Sequence, residues 1–113
     1  MSGRILVVDD VATNRLILKA KLSSAYFDVV LAECGQQALN LAKTAQPDII
    51  LLDVMMPDMS GWEVCQVIQS TKRLAHIAVI FLTAKTSPDD EKLGFDLGAV
   101  DYISKPINPA TLL

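Results

Sequence analysis

Three aspartates, a threonine and a lysine stand out because each closes a short apolar run. Asp9-Asp10 follow Ile5-Leu6-Val7-Val8, Asp53 follows Ile49-Ile50-Leu51-Leu52, and Thr83 follows the run from Ile77 to Leu82. Lys105 stands just past the run from Val100 to Ile103. Carboxylates gathered in one place repel and cannot all stay ionised unaided, so a grouping of Asp9, Asp10 and Asp53 demands positive charge. Lys105 offers one charge and a divalent cation would supply two more. Carboxylates plus water are the preferred surroundings of Mg²⁺, a hard ion that keeps several waters and accepts phosphate oxygens. A carboxylate can also act as a phosphoryl nucleophile and form an acyl phosphate. The metal and Lys105 would neutralise charge on the transferring group, and the Thr83 hydroxyl can donate to a phosphate oxygen.

Those residues meet only if the apolar runs are neighbouring strands. The runs, together with Val29-Val30-Leu31, are continuous rather than alternating, which suits parallel strands buried on both faces. Amphipathic stretches lie between them. Leu18, Leu22 and Ala25 recur at helical spacing, as do Ala38, Ala42 and Ala45 with Leu41 alongside, then Val64, Cys65 and Ile68, then Leu93 and Leu97. Ser87-Pro88-Asp89-Asp90-Glu91 reads as a helix start: a cap, a proline in the first turn, and acids that complement the helix dipole. Gly98 is placed to end that helix. Asn108-Pro109 reads as another start, but only Ala110 to Leu113 follow, so a fifth helix is expected to be truncated or to continue into a partner domain. Five strand–helix alternations imply an α/β fold, a doubly wound five-stranded parallel sheet of the flavodoxin-like order 2-1-3-4-5. In such sheets the ligand site lies at the carboxyl ends of the strands, near the point where strand order reverses. Every residue singled out above stands there.

Bulk properties agree. At 113 residues the chain has the size of one domain (1–113), large enough for a core without disulfides or a structural metal. With 51% hydrophobic and 20% charged residues, disorder is excluded. A net charge of −3 argues against direct nucleic-acid binding, which needs a basic face. Cys34 and Cys65 form no C-x-x-C pair and read as small apolar residues with reduced thiols. No leader and no membrane span is expected, and the reading is cytoplasmic. No nucleotide-binding glycine motif is present.

The residues match a family in order and spacing. Ile5-Leu6-Val7-Val8-Asp9-Asp10, Pro47-Asp48-Ile49-Ile50-Leu51-Leu52-Asp53-Val54-Met55-Met56-Pro57 with Gly61, Leu82-Thr83-Ala84, Gly98-Ala99 and Asp101-Tyr102-Ile103-Ser104-Lys105-Pro106 resemble the receiver domains of two-component response regulators. The resemblance spans the whole chain. It implies that Asp53 is the phosphoacceptor and that Asp10 and Asp53 hold Mg²⁺ directly. Asp9 would act partly through water, and the Met55 backbone carbonyl would complete the set. Thr83 and Lys105 would contact the phosphoryl group, and the Lys105-Pro106 peptide bond would be cis. Tyr102 would be an aromatic switch that turns inward as the Thr83 hydroxyl shifts. Met55 and Lys85 resemble positions that tune phosphate lifetime; a thioether, only a weak acceptor, is poorly suited to orienting an attacking water. Asn14 could reach the site but reads as an exposed helix residue. His76 reads as a surface residue and Trp62 as a partly exposed packing residue.

The resemblance implies a phosphorelay switch. A sensor histidine kinase or a histidine phosphotransfer protein would supply the phosphoryl group, and the face of the fourth strand, fourth helix and fifth strand would act on an output domain or effector. Two activated copies could also pair. The chain would be a phosphoacceptor with intrinsic autophosphorylation and dephosphorylation chemistry rather than a turnover enzyme. The Met55-Met56-Pro57 segment resembles receivers joined to diguanylate cyclase domains, and many others. An alternative is a docking module that works without phosphorylation. A phosphatase of the haloacid-dehalogenase type fits less well, since its nucleophile is followed two positions later by a second aspartate and Met55 stands there.

Overall fold

The chain alternates strand and helix: β1 (Arg4–Val8), α1 (Ala12–Ser24), β2 (Asp28–Ala32), α2 (Gly35–Thr44), β3 (Ile49–Asp53), α3 (Gly61–Ser70), β4 (Ala78–Thr83) and β5 (Asp101–Ser104). The computed structural model describes residues 3–54, 56–83 and 101–104, with Thr83 and 101–104 described as backbone. The expected helix starts at Ser87 and Asn108 and the helix end at Gly98 lie outside the described residues.

All strand pairs are parallel and the order is β2-β1-β3-β4-β5, the order expected from the alternation. Side chains alternate between the two faces of a strand, and this divides the core. Ile5, Val7, Leu51 and Leu82 face α1 and meet its buried Leu18 and Leu22. Leu6, Val8, Ile50, Leu52, Val79 and Phe81 face the opposite way, against Ala38, Leu39 and Ala42 of α2 and Val64, Cys65 and Ile68 of α3. Full burial of a leucine such as Leu18 stabilises by about 1.5–3 kcal/mol. The small alanines of α2 let that helix sit close to the sheet.

The strands differ from their expected bounds by a residue at several ends. β4 begins at Ala78 rather than Ile77, and Ile77 is buried just before it. β5 begins at Asp101 rather than Val100 and ends at Ser104. β2 departs further, since Val29, Val30 and Leu31 are only half-buried. It is an edge strand, paired on one side only, whereas β1 and β3 are paired on both.

Helix α1 ends in a Schellman turn. The Phe27 N–H donates to the Leu22 carbonyl at 3.1 Å and the Tyr26 N–H to that of Ser23 at 3.0 Å. Tyr26 takes the left-handed position of that turn at φ 70°, where glycine is usual. The turn seats Phe27 against the α1-side core and feeds the chain into β2.

Candidate functional site

The site is set by strand register. Val8 pairs with Leu52, so the next residues, Asp9 and Asp53, reach one level of the sheet's carboxyl edge. Asp53 pairs with Leu82 and Thr83 pairs with Ser104, which brings the end of β4 to the same edge. Asp53 keeps the face parity of Ile49 and Leu51, the α1 side of the sheet.

Asp9, Asp10 and Asp53 each place a carboxylate oxygen within 4.8 Å of the others. Asp9 is 0% and Asp53 3% exposed, whereas Asp10 is exposed. At an effective dielectric near 20, two unit charges 4.8 Å apart repel by about 3.5 kcal/mol. A cation among them would relieve that repulsion. Direct Mg²⁺ ligands lie about 2.1 Å from the ion, so opposite ligands are about 4.2 Å apart. Separations up to 4.8 Å leave room for one cation among the three carboxylates. An all-oxygen, partly buried, open set fits Mg²⁺ by donor chemistry.

Asp9 is held in place by the start of α1. Its Oδ1 accepts the Val11 N–H at 2.9 Å and its Oδ2 accepts the Asn14 side-chain amide at 3.2 Å. The first contact is a local turn that orders the residues leading into α1, whose N-cap Val11 has no capping side chain. The Arg15 guanidinium donates to the Asp9 backbone carbonyl at 2.6 Å and reaches Glu33 at 3.4 Å. Asn14 is thus half-buried and bonded to Asp9 rather than exposed, a correction to the sequence reading. Its amide is drawn in because a buried carboxylate needs donors. Arg15 was not foreseen, and a helix position alone gives no sign of it.

The segment after Asp53 is anchored at three places. The Val54 N–H donates to the Leu82 carbonyl at 3.3 Å, and the Gly61 N–H donates to the Val54 carbonyl at 2.8 Å. Gly61 starts α3 directly on the backbone of Asp53. A Cβ there would stand 2.9 Å from Val54 Cα and 3.0 Å from the Asp53 carbonyl carbon, and closer still to the Asp53 carbonyl oxygen. Ser60 caps α3 by accepting the Glu63 N–H at 3.3 Å, with Glu63 in the first turn. The third anchor is Asp58. Its Oδ1 accepts the N–H groups of Gly35 and Met59 and its Oδ2 that of Gln36, each at 2.9 Å. Hydrogen bonds from Gly35 and Gln36 hold its carboxyl below the usual value of 3.8.

Trp62 is half-buried and tilts against Phe81, ring centroids 4.6 Å apart, in the packing role expected of it. Cys34 and Cys65 form no disulfide, and burial pushes the Cys65 thiol up to about 11, as suits a core residue. His76 is exposed, as read. It lines a cleft of about 410 Å³ with Lys43, Asp48 and Arg73, at the end of the sheet where β3 begins. That cleft lies at the opposite end of the sheet from the carboxylates. Met55, Lys85, Lys105 and Pro106 lie outside the described residues, as do the side chains of Thr83 and Tyr102. The backbone places Thr83 at the site edge and Tyr102 opposite Phe81.

With that geometry, the sequence matches the family model described as the response regulator receiver domain over residues 5–113. The chain belongs to the response regulator receiver family. It is 45% identical over 112 residues to the response regulator PleD of Caulobacter vibrioides, covering 99% of this chain and 25% of PleD. It is 44% identical over 104 residues to a probable cyclic di-GMP phosphodiesterase of Vibrio cholerae, covering 92% of this chain and 23% of that protein. It is 41% identical over 109 residues to the alkaline phosphatase synthesis transcriptional regulatory protein PhoP of Bacillus subtilis, covering 96% of this chain and 45% of PhoP. The chain thus spans from about a quarter to under half the length of these relatives. Among solved structures, the chemotaxis response regulator CheY4 of Vibrio cholerae superposes with a TM-score of 0.94 at 33% identity, covering 99% of this chain and 93% of that one. The BeF3-activated receiver domain of DrrB gives 0.88 at 35% identity, covering 100% and 92%. This receiver is accordingly a signal-transduction module of the two-component kind. Among the described residues no helix is long and apolar enough to cross a membrane.

Proposed function

We propose that Asp53 accepts a phosphoryl group from a histidine kinase or a histidine phosphotransfer protein. Mg²⁺ would be held by Asp10 and Asp53 directly, by Asp9 through water and by the Met55 carbonyl. The observation that carries this reading is the convergence of the three carboxylates at one sheet edge, with Asp53 buried at the end of a central strand. Bound there, the metal supplies charge neutralisation for the transferring group.

An Asp53 carboxylate oxygen attacks phosphorus and forms a new O–P bond. The bond from phosphorus to the donor's imidazole nitrogen breaks, and that nitrogen keeps the electron pair. Asp9, fixed by Val11 and Asn14, holds its carboxylate beside the reacting centre. The Gly61 contact fixes the backbone that carries Asp53. Burial of Asp53 excludes most water from the attacking carboxylate. Lys105 and the Thr83 hydroxyl then hold the phosphoryl oxygens, and the Lys105-Pro106 peptide bond is cis in this reading. Contacts made in only one conformer shift the population toward it, and Tyr102 follows Thr83. The 1–113 domain is in this reading a switch of the cytoplasm that acts on an output domain or effector, with pairing of activated copies as one outcome. The named relatives include a probable phosphodiesterase and a transcriptional regulator, so the receiver leaves the choice of output open.

The test is phosphorylation with acetyl phosphate and Mg²⁺, followed by intact mass, for wild type and Asp53→Ala. A single labile adduct that disappears in the variant and with chelator is expected. A folded wild type that binds Mg²⁺ yet forms no adduct would refute phosphoacceptance and leave the docking module.

A further inference from the structure

The carboxylates occupy one end of the sheet, and the cleft of about 410 Å³ lies at the other. Small-molecule sites usually enclose about 300–1,000 Å³. Three basic side chains line the cleft: Lys43 in the last turn of α2, and Arg73 and His76 in the connection from α3 to β4. Turns carry that connection past the cleft, with the Leu74 N–H on the Thr71 carbonyl at 2.8 Å and the Ile77 N–H on the Leu74 carbonyl at 3.0 Å. Among the described residues none of the three bases makes a side-chain hydrogen bond or an ion pair; the ion pairs there join Arg4 to Asp28 and Arg15 to Glu33. The negative pole of α2 accounts for Lys43, but not for the arrival of Arg73 and His76 beside it.

The rest of the lining is as specific. Asp48 is its one acid and pairs with none of the bases. Its Oδ2 accepts the Arg4 N–H at 2.8 Å, and its Oδ1 takes no hydrogen bond among the described residues. Its backbone is pinned on both sides, by its N–H on the Arg4 carbonyl at 2.8 Å and by the Ala78 N–H on its own carbonyl at 3.1 Å. Gln46 brings an amide, held at φ 52° just past α2, where glycine is usual. Ala42 and Leu74, both buried, supply an apolar part.

We propose that this cleft is a second ligand site, which binds a small phosphate monoester carrying hydroxyl groups, of the sugar phosphate kind. A guanidinium and an ammonium suit a phosphate dianion, the first by paired hydrogen bonds and the second as a point charge, and the His76 ring adds a donor. Asp48 would repel a second anionic group, so the remainder of the ligand is neutral and offers hydroxyls, which the Asp48 Oδ1 and the Gln46 amide can bind. The carbon skeleton rests on Ala42 and Leu74. The site needs neither Mg²⁺ nor Asp53 and stands apart from phosphoryl transfer.

The test is an NMR titration with ribose 5-phosphate in the presence of EDTA. It follows the ring of His76, the one histidine of the chain. A saturable shift is expected there and at the amides of Lys43, Gln46 and Arg73, with half-saturation below about 1 mM. Inorganic phosphate, which lacks the hydroxyl contacts, is expected to bind about 10-fold more weakly, and ribose alone to leave His76 unmoved. Lys43→Gln and Arg73→Gln, both at exposed positions, should each weaken binding about 10-fold or more at an unchanged unfolding midpoint. No saturable shift at about 10 mM, where such a site is about nine-tenths filled, overturns the proposal. Wild-type affinity in both variants overturns it as well. Inorganic phosphate binding as tightly as the ester overturns the assignment of an ester.

Discussion

Replacing Gly61 by alanine should damage the phosphoacceptor strand from outside the site. A methyl group there falls 2.9 Å from Val54 Cα and 3.0 Å from the Asp53 carbonyl carbon, and within the 3.0 Å limit of the Asp53 carbonyl oxygen that real Cβ atoms essentially never cross. All three atoms are backbone, so no side chain can swing aside. The start of α3 and the end of β3 must separate by about 1 Å, or α3 must slide. Either movement strains the 2.8 Å bond from the Gly61 N–H to the Val54 carbonyl. Overpacking of this kind costs about 1–3 kcal/mol, and the better helix propensity of alanine returns under 1 kcal/mol of it. A net loss of about 1–2 kcal/mol lowers the melting temperature of a domain this size by roughly 4–8 °C. A shift of about 1 Å in the strand end that carries the nucleophile should slow phosphorylation up to about 100-fold. Calorimetry gives the first quantity and acetyl phosphate labelling of the folded variant gives the second. An alanine variant that melts with wild type and labels within twofold of it would refute the claim that α3 rests on the Asp53 backbone.

Asp10→Asn should raise the melting temperature of the metal-free protein by about 4 °C, since it removes one of three converging charges from an exposed, screened position worth about 1 kcal/mol. It should also abolish the stabilisation that Mg²⁺ gives wild type, which for a tenfold excess over Kd is about 1.4 kcal/mol; thermal melts with and without Mg²⁺ check both. Asp58, held below the carboxylate value of 3.8 by the Gly35 and Gln36 amides, contributes stability that is present above 3.8 and lost as pH falls below it through the folded value. Asp58→Asn should therefore flatten the fall in urea midpoint below pH 3.8 and leave its shape at higher pH unchanged.

Much of the fold was legible because the strands are continuous apolar runs and those other than β2 lead directly into a polar residue. Buried parallel strands write that pattern, and the order followed from strand–helix alternation. Asp9, Asp10 and Asp53 could be grouped before any coordinates because period and register leave them one edge to occupy. What escaped were contacts that pattern does not encode. Asn14 and Arg15 look like ordinary polar positions on α1, and only the burial of Asp9 explains why they turn toward it. Asp58 looks like a turn residue after Pro57, and its partners are 22 and 23 residues away on α2. Gly61 could be noted as part of a motif, but the reason for it is a close backbone approach between two elements. The half-burial of β2 follows from its edge position, which apolar content does not reveal.

The energetics of the carboxylate group explain why so much of the surrounding structure is devoted to holding it. The hydrogen bonds from Val11 and Asn14 to the charged Asp9 are worth about 1.5–3 kcal/mol each. Together they are comparable to the repulsion of one pair of charges at 4.8 Å, and three pairs converge. The fold therefore keeps the cluster together by covalent placement at adjacent strand ends and by a core tight enough to oppose its separation. The two buried members stand just after β1 and at the end of β3, both interior strands whose movement would disrupt the sheet, and the third is left in solvent where screening limits the penalty. A cation entering on the exposed Asp10 side would remove repulsion from all three pairs at once. Binding of such a cation would thus draw on repulsion already present, with little rearrangement of the strands that carry the three carboxylates.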